Sequence, residues 1–330
     1  MVSTTNISTL VLLGLAEMEG LRYLCCALAG IVYFFVMTLS TVIVYVVVTE
    51  QSLHEPMYIL IGNLVLNGLF GSSAILPKLI IDLISLTKTI SHALCIVQGL
   101  TMGLFGVYEM CTFTVMACDR YLAVCHPLHY KTLMTNEKVI KILAGCWVVN
   151  FTLDAILLFL IWILPLCGDK INNIFCENMS IVTLSCVDST ANRFFTGTIM
   201  TTYLTVTIVV TVFSYLKIFL TCLKLSKESR QKAFHTLVTH LINFAVFLIG
   251  VFFIVIRYRL GDIQLSLGVH ITMSIMPVVF PPLLNPLIYG IRTRALKIKV
   301  LKLFREAFEE SQDHQIILHS KWLCSKHTKS

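Results

Sequence analysis

Long apolar stretches alternate with short polar segments along the chain. The apolar stretches cover about residues 21–48, 57–81, 95–120, 139–164, 194–222, 233–257 and 266–290. Each is longer than the roughly 20 apolar residues with which an α-helix crosses a bilayer. Because only helices and closed barrels satisfy their backbone hydrogen bonds in lipid, the pattern predicts seven transmembrane helices. The sixth stretch has the weakest pattern, since polar residues crowd its start.

The composition agrees with a membrane protein. Of the 330 residues, 57% are hydrophobic and only 13% are charged, whereas a soluble domain typically carries about 25% charged residues. No Gly/Ser-rich linker and no internal repeat divides the chain. We therefore predict an all-α fold, a seven-transmembrane helix bundle that forms a single domain.

The segment that follows the seventh stretch, residues 292–305, is basic and amphipathic. Four apolar residues fall roughly on one helical face: Leu296, Val300, Leu303 and Phe304. This pattern is typical of a helix that lies on a membrane surface. The predicted parts of the chain are an N-terminal segment (1–20), the helical domain (21–305) and a C-terminal tail (306–330).

Basic residues predict the orientation of the bundle. With the N-terminus outside, the inner segments hold 18 of the 25 lysines and arginines, as the positive-inside rule requires. The charge is spread among membrane loops, so a nucleic-acid-binding role is not supported. The first 20 residues lack the positively charged start of a cleavable signal peptide. Asn6 begins an Asn-Ile-Ser acceptor for N-glycosylation, in a segment expected to be luminal.

Four of the 12 cysteines fall on the predicted outer side: Cys95, Cys167, Cys176 and Cys186. An oxidising compartment favours disulfides between them. Four cysteines allow three connectivities, and the sequence does not choose among them. The other cysteines lie mostly within helices or on the inner side, where cysteine is usually a small apolar side chain.

Ordered motifs then point to a family. The third stretch ends in Met116-Ala117-Cys118-Asp119-Arg120-Tyr121, similar to the MAYDRYVAIC motif of odorant receptors with Cys118 in place of the usual tyrosine. Further blocks in the family's order are LHEPMY at 53–58, Ser214-Tyr215, KAFHT at 232–236, and PLLNPLIY at 282–289. Over about residues 6–305 the chain resembles the odorant receptors, a branch of the rhodopsin-like G-protein-coupled receptors. SLHEPMYILIGN and LNGLFG resemble fish-type members more closely.

The resemblance implies a sensory receptor without enzymatic activity, cofactor or metal. Such a receptor binds a small odorant in the outer half of its bundle and activates a stimulatory olfactory G protein, which raises cyclic AMP. It resides in the plasma membrane, in the cilia of olfactory sensory neurons. The resemblance also implies the disulfides Cys95–Cys176 and Cys167–Cys186.

Family positions for G-protein coupling and the activation switch match Asp119, Arg120, Tyr121, Tyr215, His240, Asn285, Pro286 and Tyr289. In the resting state Arg120 is expected to pair with Asp119, and an exchangeable ion pair at the membrane edge is a two-state element. Taken alone, Arg120 is equally explained by snorkelling to the headgroups. Asn285-Pro286 interrupts the helical hydrogen bonds and predicts a hinge, although a kink tolerated in a membrane helix has the same pattern.

Glu109 is an acid within the third stretch, and such residues are costly and usually functional. It matches a glutamate common in odorant receptors. Two interpretations stay open, namely an interior polar network with a bound cation, and a protonated side chain hydrogen-bonded to a neighbouring helix. Asp154 in the fourth stretch is assigned no role.

By resemblance the ligand pocket lies among the third, fifth, sixth and seventh helices. The candidate lining residues are Met102, Gly103, Gly106, Val107, Met200, Tyr203, Leu204, Leu248, Val251, Phe252, Val255 and Arg259. Singly, each is also explained by helix packing or lipid contact, but together they form a plausible apolar cleft. Arg259 could pair with a ligand carboxylate, and its simpler explanation is an interfacial anchor.

Three positions depart from the family pattern. Leu39-Ser40-Thr41 stands where an asparagine is normal, and Asn67 where many such receptors have an aspartate. Both weigh against an ordinary interior sodium-and-water network. Leu248 replaces a usual tyrosine, so the common switch residue of the sixth helix is absent.

Two other classes of membrane protein are alternatives. A rhodopsin-like receptor for an internal metabolite would carry the same motifs, and tissue expression would distinguish it. A transporter or channel would usually show repeated halves or polar pore-lining stripes, and neither is evident.

Overall fold

The computed structural model describes residues 8–224, 238, 241–252, 266–306 and 312. The long helices are α2 (Arg22–Thr49), α3 (Pro56–Ser85), α4 (His92–Cys125), α6 (Asn136–Trp162), α8 (Thr190–Cys222) and α10 (Leu267–Arg292). Shorter helices are α1 (Gly14–Glu17), α5 (Pro127–Leu133), α7 (Asn178–Val182), α9 (Leu241–Phe252) and α11 (294–306). Single 3-10 turns cover Glu19–Leu21 and Gln51–Leu53, and the strands are β1 (Thr9–Leu12), β2 (Thr89–Ser91) and β3 (Lys170–Ile171).

The architecture is the predicted transmembrane helix bundle. Within the described residues, six helices are long and apolar enough to cross a membrane, and the shorter apolar helix α9 lies in the region predicted as the sixth span. The bundle turns an apolar surface outward, since Val148, Phe159 and Phe213 are all more than half exposed. Such a large exposed apolar surface is stable in lipid and not in water.

Several helices extend further than their apolar stretches, because capping residues and turns in the flanking polar sequence set where they begin and end. The α3 helix begins at Pro56, a residue suited to the first turn, and ends at Leu86 in the left-handed conformation with φ 56°. The hydroxyl of Ser91 accepts a hydrogen bond from the Leu94 amide at 3.3 Å, and so caps α4. The α4 helix therefore starts at His92 and continues to Cys125, beyond the predicted 95–120.

The disulfide-bonded end of the bundle carries a small sheet that the all-α prediction did not include. Its order is β2-β1-β3, in which β1 runs antiparallel to β2 and parallel to β3. Leu10 and Leu12 of β1 are buried. The apolar run in the predicted N-terminal segment thus packs against the loops, and residues 9–17 are an ordered part of the fold.

The α10 helix contains Pro277, Pro281, Pro282 and Pro286 and is helical throughout from Leu267 to Arg292. At Thr293 the chain leaves helical geometry, and α11 follows. Leu296 is fully buried, and Val300 and Leu303 pack against the bundle core, whereas Phe304 is 52% exposed. Three of the four predicted apolar residues of this segment therefore contact the protein, and Phe304 points away from it.

Candidate functional site

The loop between α6 and α8 is fixed over one end of the bundle, called here the disulfide end. Cys176 is bonded to Cys95 and Cys167 to Cys186, which is the connectivity that the resemblance implies. The Cys176 amide also donates to Oε1 of Gln98 at 2.8 Å, while Nε2 of Gln98 donates to the carbonyl of Ala74 at 3.0 Å. Because the loop is tied to α4 by a disulfide and a hydrogen bond, and Gln98 links α4 to α3, the loop forms a fixed lid.

A cavity of about 280 Å³ lies beneath this lid. One face of α4 forms a wall at helical spacing, from Gly99 through Gly103 to Met110. The other walls come from α6, α8, α9, α10 and the lid residues Phe175 and Glu177–Met179. Small-molecule sites in proteins have this enclosed, largely apolar character.

At the opposite end of α4, called here the Arg120 end, an ion pair is held by a third residue. Asp119 is 1% exposed and accepts from Nη2 of Arg120 at 2.7 Å and from Nε at 3.1 Å. The Tyr130 hydroxyl on α5 donates to the other carboxylate oxygen at 2.7 Å. Burial raises the pKa of Tyr130, with the nearby Asp119 charge adding to the effect, so the hydroxyl keeps its proton and donates.

A buried polar node lies between the two ends. Glu109 on α4 is fully buried and accepts from Nδ2 of Asn67 on α3 at 2.7 Å and from Nδ2 of Asn285 on α10 at 2.9 Å. Asn67 donates also to the carbonyl of Phe105 at 3.1 Å. One carboxyl group thus joins three helices, on the same helix that lines the cavity and carries the ion pair.

The family follows from the sequence match. A family model described as olfactory receptor matches residues 29–307. The chain belongs to the olfactory receptor family. It is therefore a multi-pass membrane receptor of the G-protein-coupled class, and not an enzyme.

Individual relatives agree along almost their whole length. Olfactory receptor 2A12 of Homo sapiens is 32% identical over 300 residues, which cover 89% of this chain and 94% of that receptor. Olfactory receptor 4B13 of Mus musculus is 31% identical over 298 residues, covering 90% and 96%. Olfactory receptor 10R2 of Homo sapiens is 30% identical over 300 residues, covering 90% and 89%. These three are mammalian, and the fish-type likeness stays a prediction.

The olfactory receptor's cavity brings together six of the ten predicted lining residues that the structure describes. Lining residues among the candidates are Met102, Gly103, Gly106, Val107, Met200 and Val251. Four other candidates, Tyr203, Leu204, Leu248 and Phe252, are not among the described lining residues. Phe252 is 59% exposed, because it points away from the neighbouring helices. Tyr203 lies behind the wall, where its hydroxyl donates to Oδ1 of Asn150 at 2.6 Å.

Sequence reasoning missed an entire wall of the cavity. The α6 helix contributes Asn150, Leu153, Asp154 and Leu157, spaced as one helical face. The signal was present, because Asn150 and Asp154 are polar residues one turn apart in an otherwise apolar span. Both are buried, at 3% and 6% exposure.

The predicted switch residues that the structure describes lie in three places in the receptor. At the Arg120 end, the Tyr121 hydroxyl lies 3.1 Å from Nε2 of His126, and Tyr215 packs beside Ile218 and Cys222. Tyr289 is buried in the core together with residues of α9.

Asn285 belongs to the Glu109 node, and Pro286 continues α10. His240, Val255, Arg259, Asn6 and most of the tail 306–330 lie outside the described residues.

Proposed function

We propose that this olfactory receptor binds a small odorant in the cavity beneath the lid and activates a stimulatory olfactory G protein, which raises cyclic AMP. The observation that carries the proposal is the course of α4. One continuous helix lines the cavity with Gly103, holds the polar node with Glu109 and, near its other end, carries the pair of buried Asp119 and partly buried Arg120.

Because α4 is continuous, a ligand bound in the cavity can affect the Arg120 end of the same helix. A ligand that shifts α4 against α3 and α10 changes the geometry at Glu109, and with it the equilibrium of the ion pair. Packed helices favour discrete states over gradual deformation, so a small shift can release Arg120 from Asp119. The ligand must bind the active state more tightly than the resting state, since otherwise no population shift occurs.

The proposed orientation places the disulfide end outside the cell and the Arg120 end in the cytoplasm. The excess of basic residues beside the Arg120 end supports it. The proposed location is the plasma membrane, in sensory cilia by family resemblance, with α11 on the inner membrane surface. An N-terminal epitope should then be stained on intact cells, and Asn6→Gln should remove a glycan from the protein.

The test of signalling is cyclic AMP in cells that express the full chain with the olfactory G protein. Odorants of several chemical classes are applied, and each response is compared between wild type and Arg120→Ala at equal surface expression. A response that disappears in Arg120→Ala supports the proposal. A response to a circulating metabolite but to no volatile compound would contradict an olfactory role, and one that survives in Arg120→Ala would contradict the coupling mechanism.

A further inference from the structure

Asp154 stands out among the cavity residues because, within the part of the chain that the structure describes, no basic side chain pairs with its carboxyl group. It lies on α6 and lines the cavity under the lid, and only 6% of its surface is exposed. Its Oδ2 has no hydrogen-bond partner and no accessible surface of note.

An isolated carboxylate at this depth is strongly unfavourable, and buried charges in proteins are normally paired. The backbone amide of Leu104 favours the charged form of this carboxyl group, but burial opposes that form more strongly. Two other charged residues line the same cavity. Among the described residues, both have side-chain partners elsewhere, unlike Asp154. Glu177 accepts from Asn173 and Ser180 within the lid, and Nε of Arg193 donates to Ser189 at 3.2 Å.

The helix opposite is shaped to receive this carboxylate. A methyl group at Gly103 on α4 would lie 2.7 Å from Oδ1 of Asp154, closer than Cβ atoms approach other atoms, and 3.1 Å from Oδ2. At Gly106, one turn further along the same wall, a methyl group would meet no atom within 4 Å. Because Gly103 has no side chain, the Asp154 carboxyl group can lie against α4 at the cavity wall.

The geometry points to Asp154 as the counter-ion for the ammonium group of a small amine odorant, a ligand class for the binding site proposed above. Aliphatic amines are protonated at neutral pH, with a pKa near that of lysine, about 10.4. An ammonium group would supply the missing donor and neutralise the carboxylate, while its carbon skeleton would occupy the apolar remainder of the cavity. A metal ion fits less well, because no group of three or more His, Cys, Asp or Glu side chains suited to a metal occurs among the described residues.

This inference rests on the proposed function for its site. It predicts a positively charged ligand, whereas a role for Arg259 in binding would predict a negatively charged one. The size of the cavity, about 280 Å³, lies just below the usual range for drug-sized ligands and suits compounds of odorant size. Compounds of one shape and three charges are therefore the informative probes. Two such sets are cyclohexylamine, cyclohexanol and cyclohexanecarboxylic acid, and isoamylamine, isoamyl alcohol and isovaleric acid.

The first experiment measures cyclic AMP responses of the full chain to both sets, in wild type, Asp154→Asn and Asp154→Glu. The amines should activate wild type, and their EC50 should rise at least about tenfold in Asp154→Asn, because loss of a buried charge partner costs several kcal/mol in similar sites. Asp154→Glu keeps the charge and should retain most of the amine response. Asp169→Asn removes an exposed acid from the lid region and serves as the surface-charge control.

A pair of glycine variants tests the same idea without touching the acid, should Asp154→Asn fail to reach the surface. Gly103→Ala displaces the carboxylate and should raise the EC50 ratio of amine to alcohol. Gly106→Ala fills cavity volume alone and should leave that ratio unchanged, whatever it does to either potency. An equal ratio in both variants would overturn the inference.

Thermal unfolding of the purified receptor separates this inference from the signalling proposal. Cyclohexylamine should raise the melting temperature of wild type and not of Asp154→Asn, since a ligand stabilises the state that it binds. If it does so while no compound gives an Arg120-dependent response, the amine site stands and the proposed signalling fails. If alcohols or acids act on wild type and amines do not, or if amines act equally on Asp154→Asn, the inference is wrong.

Discussion

The Tyr130 hydroxyl and the Asp119 carboxylate are joined by a hydrogen bond of 2.7 Å between α5 and the end of α4. The bond engages Oδ1, while Arg120 engages Oδ2. Asp119 is therefore oriented from two sides, and Arg120 faces a carboxylate that cannot easily turn away. We therefore expect the Asp119–Arg120 pair to depend on Tyr130, which lies outside the Met116–Tyr121 motif.

Tyr130→Phe should raise basal signalling. Hydrogen bonds to charged groups contribute about 1.5–3 kcal/mol, so loss of this one should shift the equilibrium toward the active state by about tenfold or more. The measurement is ligand-free cyclic AMP at matched surface expression. Tyr45→Phe is the control, since Tyr45 is 53% exposed on the outside of α2. Unchanged basal activity in Tyr130→Phe would show that Asp119 holds Arg120 without this contact.

Asn285 and Glu109 should be energetically coupled. Removing the donor by Asn285→Ala leaves a buried carboxyl oxygen without its partner, which costs about 1–3 kcal/mol. The melting temperature of the purified receptor should fall in Asn285→Ala and in Glu109→Ala, and by less than the sum in the double variant. Strict additivity in this cycle would mean that the 2.9 Å contact contributes nothing to stability.

The two disulfides should differ in their contribution to stability. The Cys95–Cys176 bond closes a segment with a sequence separation of 81, against 19 for Cys167–Cys186. The chain-entropy model gives the longer loop an advantage of about 1 kcal/mol or more. The double variant Cys95→Ser/Cys176→Ser should therefore melt at a lower temperature than Cys167→Ser/Cys186→Ser. The reverse order would assign the greater role to the local fold of the lid.

Glu50 should make stability depend on pH. The hydrogen bond from Lys299 of α11, at 2.5 Å, lowers the pKa of this carboxyl group below its usual value of 4.5. A lowered folded-state pKa stabilises the fold above the unfolded-state value, and the contribution is lost as the pH falls through the folded-state value. The melting temperatures of wild type and Glu50→Gln should differ at neutral pH and converge once the pH falls below the folded-state pKa, which lies under 4.5.

For that prediction the charge-swapped pair Glu50→Lys/Lys299→Glu is the control, and it should regain part of the difference at neutral pH. A difference between wild type and Glu50→Gln that persists unchanged in acid would exclude the ion pair as its source. The contact matters because it ties α11 to the turn between α2 and α3.

The helices were predictable because lipid imposes one rule on every span. A run of apolar residues from Arg22 to Thr49 has no other stable conformation in a membrane. The ends were harder, because caps such as Ser91 lie in polar sequence outside the apolar run. The motif around Asp119 and Arg120 was found from its letters alone, whereas the role of Tyr130 required the position of α5.

The cavity was only half predictable, for a physical reason. In a soluble helix the polar face shows which side is exposed, but a membrane helix such as α6 is apolar toward both lipid and protein. Sequence periodicity therefore did not show that Leu153 and Leu157 face inward while Val149 faces outward. Only the polar pair Asn150 and Asp154 marked the inner face, and its meaning depended on Gly103 lying opposite.

The position of β1 at the centre of the sheet at the disulfide end has a consequence for biosynthesis. Thr9–Leu12 is the first strand to be made, yet its partner Lys170–Ile171 emerges from the ribosome about half a chain later. The β1 strand therefore remains without its β3 partner until α6, the fourth long helix, has been synthesised. Maturation of the lid is thus a late event that depends on an early segment, and a bulky fusion close to Thr9 would delay the end of folding.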